Sequence, residues 1–196
     1  MQKLAIRLCD IIFAFLALSL FFPVLLVLAM LVAIKMGRPV FFAQKRLGLG
    51  GKVITIYKFR SMLNEVVVDD SELEKVNEFT IKYKNAPRIT PLGSFLRKTS
   101  LDELPQLWNV LVGDMSIVGP RPWVPEEYEK LPKEWFKRLD AKPGITGLAQ
   151  INGRSDLPMD EIVANDVLWV NKQTIKHYIS LIFKTVTYTF KMKNVY

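Results

Sequence analysis

The chain has 196 residues, and its 27 Lys plus Arg against 19 Asp plus Glu leave a formal charge of +8. That length holds one catalytic domain rather than two, and the positive surplus suits anionic partners such as phosphates, nucleic acid or an acidic lipid surface. A single cysteine, Cys9, and a single histidine, His177, exclude an internal disulfide, a Cys/His zinc centre and a Cys-x-x-Cys redox pair. A Ser-His-Asp triad would need His177, which lies in a basic, apolar stretch with no nucleophile motif around it. Any catalysis must therefore run on carboxylates, basic side chains or a bound hard cation.

Ile11 to Ile34 is an apolar run without a single charge. As a helix it extends roughly 36 Å, enough to cross a bilayer core. It is too long for the apolar part of a signal peptide, and no small-x-small cleavage site follows before Lys35 and Arg38. Pro23 sits near its middle, removes a backbone donor and is expected to kink the helix. Both ends are basic, with Lys3 and Arg7 before the run and Lys35, Arg38, Lys45 and Arg46 after it. A helix that bends at Pro23 and leaves by the face it entered keeps these cations on one side. The residues alone leave that arrangement and a tilted transmembrane anchor equally open.

Val40–Arg46 and Lys52–Lys58 are β-rich, and Gly48, Gly50 and Gly51 between them supply the backbone freedom of a reversal. A β-hairpin is expected there. Asn64 to Asn85 is polar and mixed in charge, and reads as a surface helix with loops whose acids (Asp69, Asp70, Glu72, Glu74) form a solvated patch. Ser94 to Val112 has helical character interrupted by Pro105, and Ser100 to Glu103 matches a capping box. Pro122, Pro125, Pro132 and Pro143 then punctuate loops and short helices. Ile175 to Lys193 sets Ile175, Ile179, Ile182, Phe183, Val186 and Phe190 mostly on one helical face with lysines around it. That pattern suits an interface-lying amphipathic helix, and equally a core-packed one.

Asp102 and Glu103 are adjacent carboxylates at an expected helix start, where negative charge is favoured. One could attack a phosphorus while the other holds a cation, or both could merely cap the helix. Candidate phosphate ligands are Lys58 and Arg60 after the second strand, Arg97 before the acids, Arg121 in Gly-Pro-Arg-Pro and Arg154 in Asn-Gly-Arg. Prolines on both sides of Arg121 restrict its backbone. Gly144 and Gly147 in PGITGLAQ permit close backbone approach to a ligand, or tight turns, without the spacing of a Walker loop.

In order, VFFAQKRLG, YKFRSM, SLDELPQLWNVLVGDMSIVGPRP and KPGITGLAQINGR resemble the small monotopic phosphoglycosyl transferases of the bacterial sugar transferase family, over nearly the whole chain. The resemblance implies transfer of a sugar 1-phosphate from a UDP-sugar to a polyprenyl phosphate, typically undecaprenyl phosphate. UMP is released, in the first membrane step of surface glycan or glycoconjugate synthesis. It implies Asp102 as the covalent nucleophile and Glu103 as the partner acid that helps bind Mg2+, with Asp102 a possible further ligand. Lys58, Arg60, Arg121 and Arg154 match basic positions that hold phosphate groups. The implied fold is α+β and helix-rich, with a re-entrant membrane helix over 1–36, kinked at Pro23, and a catalytic domain over 37–196. That domain carries a small β-hairpin and amphipathic interfacial helices, and lies on the cytoplasmic face of the bacterial inner membrane. Family members show Ser-Pro at the bend, whereas Phe22 precedes Pro23 here. Membrane lipids are expected partners and nucleic acid is not, since a nucleic-acid binder explains the charge but neither the apolar block nor the carboxylate motif. The oligomeric state stays open. A non-catalytic membrane-anchored assembly protein is the competing class, and it predicts tolerance of Asp102 replacement.

Overall fold

A computed structural model describes residues 1–63, 73–77, 80–83, 89–128, 131–153 and 156–191. The apolar block forms one helix, α1 (Gln2–Met36), with Pro23 inside it. At 35 residues it runs about 52 Å along its axis. Only a narrow strip of it is covered: Ile6, Asp10, Ala14, Leu28 and Val32 are buried, while Phe15, Leu20, Phe22, Met30 and Ile34 stand more than half exposed.

A hairpin follows, β1 (Phe41–Leu47) against β2 (Val53–Phe59), in antiparallel register from Phe41↔Phe59 to Leu47↔Val53. Of the three expected turn glycines, Gly50 and Gly51 take positive φ (65° and 78°), a conformation side chains resist. Gly48 stays at φ −100°. A second antiparallel pair, β3 (Leu73–Asn77) and β4 (Thr80–Tyr83), corrects the surface helix expected between Asn64 and Asn85. In TIKY, Ile81 and Tyr83 alternate with polar residues, a two-residue period that serves a strand rather than a helix, whereas LEKVN lacks that period and its pairing is irregular between Lys75 and Asn77. Glu74 of the acidic patch lies in β3, while Asp69, Asp70 and Glu72 fall outside the described residues.

Helix α2 (Pro91–Lys98) is N-capped by Thr90, whose hydroxyl accepts from the Gly93 amide at 2.9 Å. A 3₁₀ turn over Leu101–Glu103 and helix α3 (Gln106–Val112) follow, broken at Pro105 as expected. The capping box does not form. Ser100 adopts φ 56° and its side chain makes no cap bond, because it serves as the left-handed exit from α2 rather than an extended entry. Strand β5 (Ser116–Val118), short helix α4 (Pro125–Tyr128), a 3₁₀ segment (Lys133–Asp140) and strand β6 (Gly144–Thr146) come next. β5 and β6 pair in parallel. Helices α5 (Leu148–Asn152), α6 (Met159–Asn171) and α7 (Ile175–Lys191) complete the helix-rich fold.

Three apolar clusters make the core, and α1 enters each. Ile6 joins Val118, Trp169, Tyr178 and Leu181; Ala14 joins Ile54, Ile56, Val110 and Met115; Leu28 and Val32 join Phe59 and Leu96. Polar ties secure both ends of the helix. Arg7 donates to the Val110 and Leu111 carbonyls at 2.6 and 2.8 Å, placing its charge at the negative end of α3. Asp10 accepts from Ser116 Oγ, the Ile117 amide and the Tyr178 hydroxyl at 2.8–2.9 Å. At the far end, Arg60 donates to the carbonyls of Met36, Gly37 and Arg38. On α7, Tyr178 and Leu181 face the core, while Ile179, Phe183 and Val186 are exposed. Its apolar surface is thus divided between packing and open surface.

Candidate active site

In β2 every second residue turns inward, Ile54, then Ile56, then Lys58, as the strand period requires. The first two enter the core. Lys58, third in the series, brings its ammonium beneath the 3₁₀ turn, where Nζ donates to Glu103 Oε1 at 2.6 Å. Arg121 reaches the same oxygen, Nη2 at 3.1 Å. One carboxylate oxygen therefore holds two cations.

The tight turn that begins at Ser100 separates the two acids, because neighbours on a 3₁₀ helix point about 120° apart. Glu103 takes the cations, while Asp102 is buried and makes no ion pair among the described residues. Burial is the main influence raising the Asp102 pKa, and the Glu103 charge adds to it. The charges of Lys58 and Arg97 pull the other way without restoring the ordinary value. For Glu103, burial pushes upward too, but Arg121 and then Lys58 outweigh it and hold the carboxyl down to about 2. Burial lowers the Lys58 pKa, assisted by Arg121 and opposed by Glu103. Two adjacent acids are thereby driven apart: one is held ionised by two cations on a single oxygen, the other is less acidic and without an ion pair among the described residues. Pairs split in this way mark divided chemical roles.

Of the expected phosphate ligands, Lys58, Arg97 and Arg121 surround the acids. Arg97, in the last turn of α2, rests its guanidinium against Met62 Sδ at 3.6 Å, and its charge reaches Asp102. Arg60 does not join them; it is buried, its guanidinium committed to the three carbonyls at the end of α1. Arg154 lies outside the described residues. Gly144 and Gly147 do provide close approach, but to another part of the chain. A Cβ on Gly144 would lie 2.0 Å from the Gly119 amide, and one on Gly147 would lie 2.3 Å from the Gly119 carbonyl. The PGITG and GPRP segments are therefore locked back to back.

Sequence reasoning overlooked two buried ionic groups, Asp10 and the pair Arg138–Asp166. A signal was present. Asp166 falls three residues from both Val163 and Trp169, and Asp10 four from both Ile6 and Ala14, so each is an acid on an otherwise apolar helical face.

The donor set also bears on a metal. Among the described residues no group of three or more His, Cys, Asp or Glu converges, so a closed protein cage is absent there. Asp102 and the second oxygen of Glu103 fit Mg2+ as it is usually bound beside a diphosphate, through one or two carboxylates with water and substrate oxygens supplying the rest.

The profile of the family described as bacterial sugar transferase matches residues 1–192. An undecaprenyl-phosphate galactose phosphotransferase of Salmonella typhimurium is 44% identical over 82% of this chain and 35% of its own length. A UDP-glucose:undecaprenyl-phosphate glucose-1-phosphate transferase of Klebsiella pneumoniae is 44% identical over 97% of this chain and 41% of its own. The exopolysaccharide production protein ExoY of Rhizobium meliloti is 38% identical over 93% of this chain and 84% of its own. The chain thus spans about two fifths or less of the length of the first two relatives.

Proposed function

The chain belongs to the bacterial sugar transferase family, and on that premise we propose that it transfers a sugar 1-phosphate from a UDP-sugar to a polyprenyl phosphate such as undecaprenyl phosphate. The observation that carries this reading is the division of labour between Asp102 and Glu103 within a cluster of Lys58, Arg97 and Arg121.

Asp102 is the nucleophile. Its carboxylate attacks the phosphorus that bears the sugar; the bond from that phosphorus to the bridging oxygen breaks, and UMP leaves with the electron pair. The product is a sugar phosphate esterified to Asp102 as an acyl phosphate. An oxygen of the polyprenyl phosphate then attacks the same phosphorus and releases the Asp102 carboxylate, giving a polyprenyl diphosphate sugar. Neither step needs histidine or cysteine. The raised pKa of Asp102 makes it a stronger base when ionised, and with no ion pair among the described residues its oxygens are open to phosphorus. Lys58 and Arg121 sit on Glu103 and place positive charge beside the diphosphate. Mg2+, held by Glu103 with Asp102 adjacent, would supply charge compensation for the departing phosphate. The product suits the first membrane step of surface glycan or glycoconjugate assembly.

The membrane arrangement belongs to the same proposal. α1 is long and apolar enough to cross a bilayer, yet residues near both its ends are tied to one globular unit. Those ties, together with the basic flanks, favour a re-entrant helix that bends about Pro23, with the domain of 37–196 on the cytoplasmic face. Labelling of cysteines placed at residues 2 and 36 tests this, and reaction from opposite faces of the membrane would sink it. The chemistry is tested by UMP release from purified protein with undecaprenyl phosphate, Mg2+ and a panel of UDP-sugars. Lipid-dependent release that disappears in Asp102→Asn is expected. Undiminished release by that variant removes Asp102 as nucleophile, and silence across the panel favours a non-catalytic assembly role.

A further inference from the structure

Arg121 reaches Glu103 from an exposed position, its side chain 55% accessible, on a loop of the kind that ordinarily moves. This loop is held at three consecutive carbonyls, each by a different donor. Arg138 Nη2 donates to the Arg121 carbonyl at 2.8 Å, Arg46 Nη1 to that of Pro122 at 3.0 Å, and the Leu47 amide to that of Trp123 at 2.9 Å. Pro120 and Pro122 restrict the backbone between them, and Gly119 is pressed against Gly144.

Arg138 is the least expected of these donors. It and Asp166 are each 1% exposed, with Nε and Nη2 at 2.9 and 2.5 Å from Asp166 Oδ2. Its guanidinium carbon lies 3.5 Å from the centroid of the Trp123 ring. A buried pair of this kind commonly adds no stability beyond what apolar residues of equal volume supply, so its reason for being lies elsewhere. The fork meets Asp166 on α6, the Arg121 carbonyl and the Trp123 face together, which one ammonium could not do.

We propose that Arg138, charge-balanced by Asp166, is a positioning residue that fixes the Arg121–Trp123 backbone and so aims the Arg121 guanidinium at Glu103 and the donor diphosphate. Arg138 itself makes no contact with Glu103 among those described; its influence passes through the main chain of Arg121. The inference rests on the transferase reading for what Arg121 does, but the aiming can be measured without turnover.

The test replaces the pair by apolar residues of similar volume, Arg138→Met with Asp166→Leu. UMP release is followed with Arg121 intact and in Arg121→Ala. The turnover-independent readout is the order parameter of the Arg121 Nε–H bond, from nitrogen-15 relaxation in detergent micelles. Release should fall roughly 10- to 100-fold with Arg121 intact, the usual consequence of a misplaced ligand. It should fall less than about twofold when Arg121 is already alanine. The order parameter should drop to below about 0.6. Equal losses in both backgrounds, or an unchanged order parameter, would overturn the proposal. If the double replacement fails to fold, Arg138→Lys keeps the charge beside Asp166, loses the fork and is read by the same criteria. A wild type that releases no UMP would refute the transferase reading, while the order parameter still decides whether Arg138 aims Arg121.

Discussion

Two clusters of opposite charge lie close together in this fold and differ in almost every respect. Arg138 and Asp166 are matched one to one, dry and doubly bonded. Around Glu103 two cations share one oxygen, both partly reachable by solvent, while the neighbouring acid Asp102 has no ion pair among the described residues. A balanced pair has nothing left to offer a ligand. An unbalanced one has spare positive charge for phosphates and a spare carboxylate for chemistry. Imbalance, rather than charge itself, separates the reactive cluster from the scaffolding one.

That contrast can be broken experimentally, beginning where the effect is greatest. Asp102→Asn should lower UMP release at least about 10³-fold with little change in melting temperature, since it removes the nucleophile and no ion pair among the described residues. Asp166→Ala should instead strike stability first and cost about 3–5 kcal/mol in denaturant unfolding, because it strands a buried guanidinium. Glu103→Gln should lower turnover about 10²-fold while costing only about 1 kcal/mol of stability; a larger stability loss would mean the site is as dry as the Arg138 pair. The pH profile of kcat/KM sharpens the comparison further. Asp102 must be ionised to attack and its pKa is raised, so activity should vanish on the acid side at a pH above the ordinary aspartate value. Glu103, held at about 2, contributes nothing to that limb. Lys58 must be charged to hold phosphate and its pKa is lowered, so the alkaline limb should fall below the ordinary lysine value. The smallest effect lies at the hinge between the acids and α2. Ser100→Gly relieves a left-handed backbone at φ 56° and should stabilise the protein by about 0.5–1 kcal/mol, read from the unfolding midpoint.

Much of this could be read from the residues, because the chemistry is local. The hairpin announces itself through two β-rich runs around glycines, and Pro105 marks the break before α3. Asp102 and Glu103 are visible as a pair because they are adjacent in sequence. What stayed hidden depends on contacts across the chain. Ser100 to Glu103 has the letters of a capping box, but the preceding helix ends at Lys98, so Ser100 must turn the chain instead of opening a helix. Arg60 looks like a phosphate ligand beside Lys58. Yet successive strand residues face opposite ways, and the residue just past β2 is drawn to the carbonyls that end α1. Arg138 reads as one of several charges in KEWFKRLD, and only the approach of α6 gives it a partner 28 positions away. Pattern reports what a residue is beside in the chain, and burial reports what it is beside in space.

The attachment of α1 to all three clusters also orders the biography of the molecule. Translation runs from the N-terminal side, so α1 leaves the ribosome before Phe59, Val110, Ser116 and Tyr178 exist. Its covered strip, Ile6, Ala14, Leu28 and Val32, therefore waits among lipids or chaperones until those partners follow. The Asp10 carboxylate waits for a phenol 168 residues downstream. A nascent chain halted before α7 would hold that acid among apolar neighbours with only Ser116 and Ile117 to satisfy it. α1 is made before the partners that cover it and is completed only when α7 arrives.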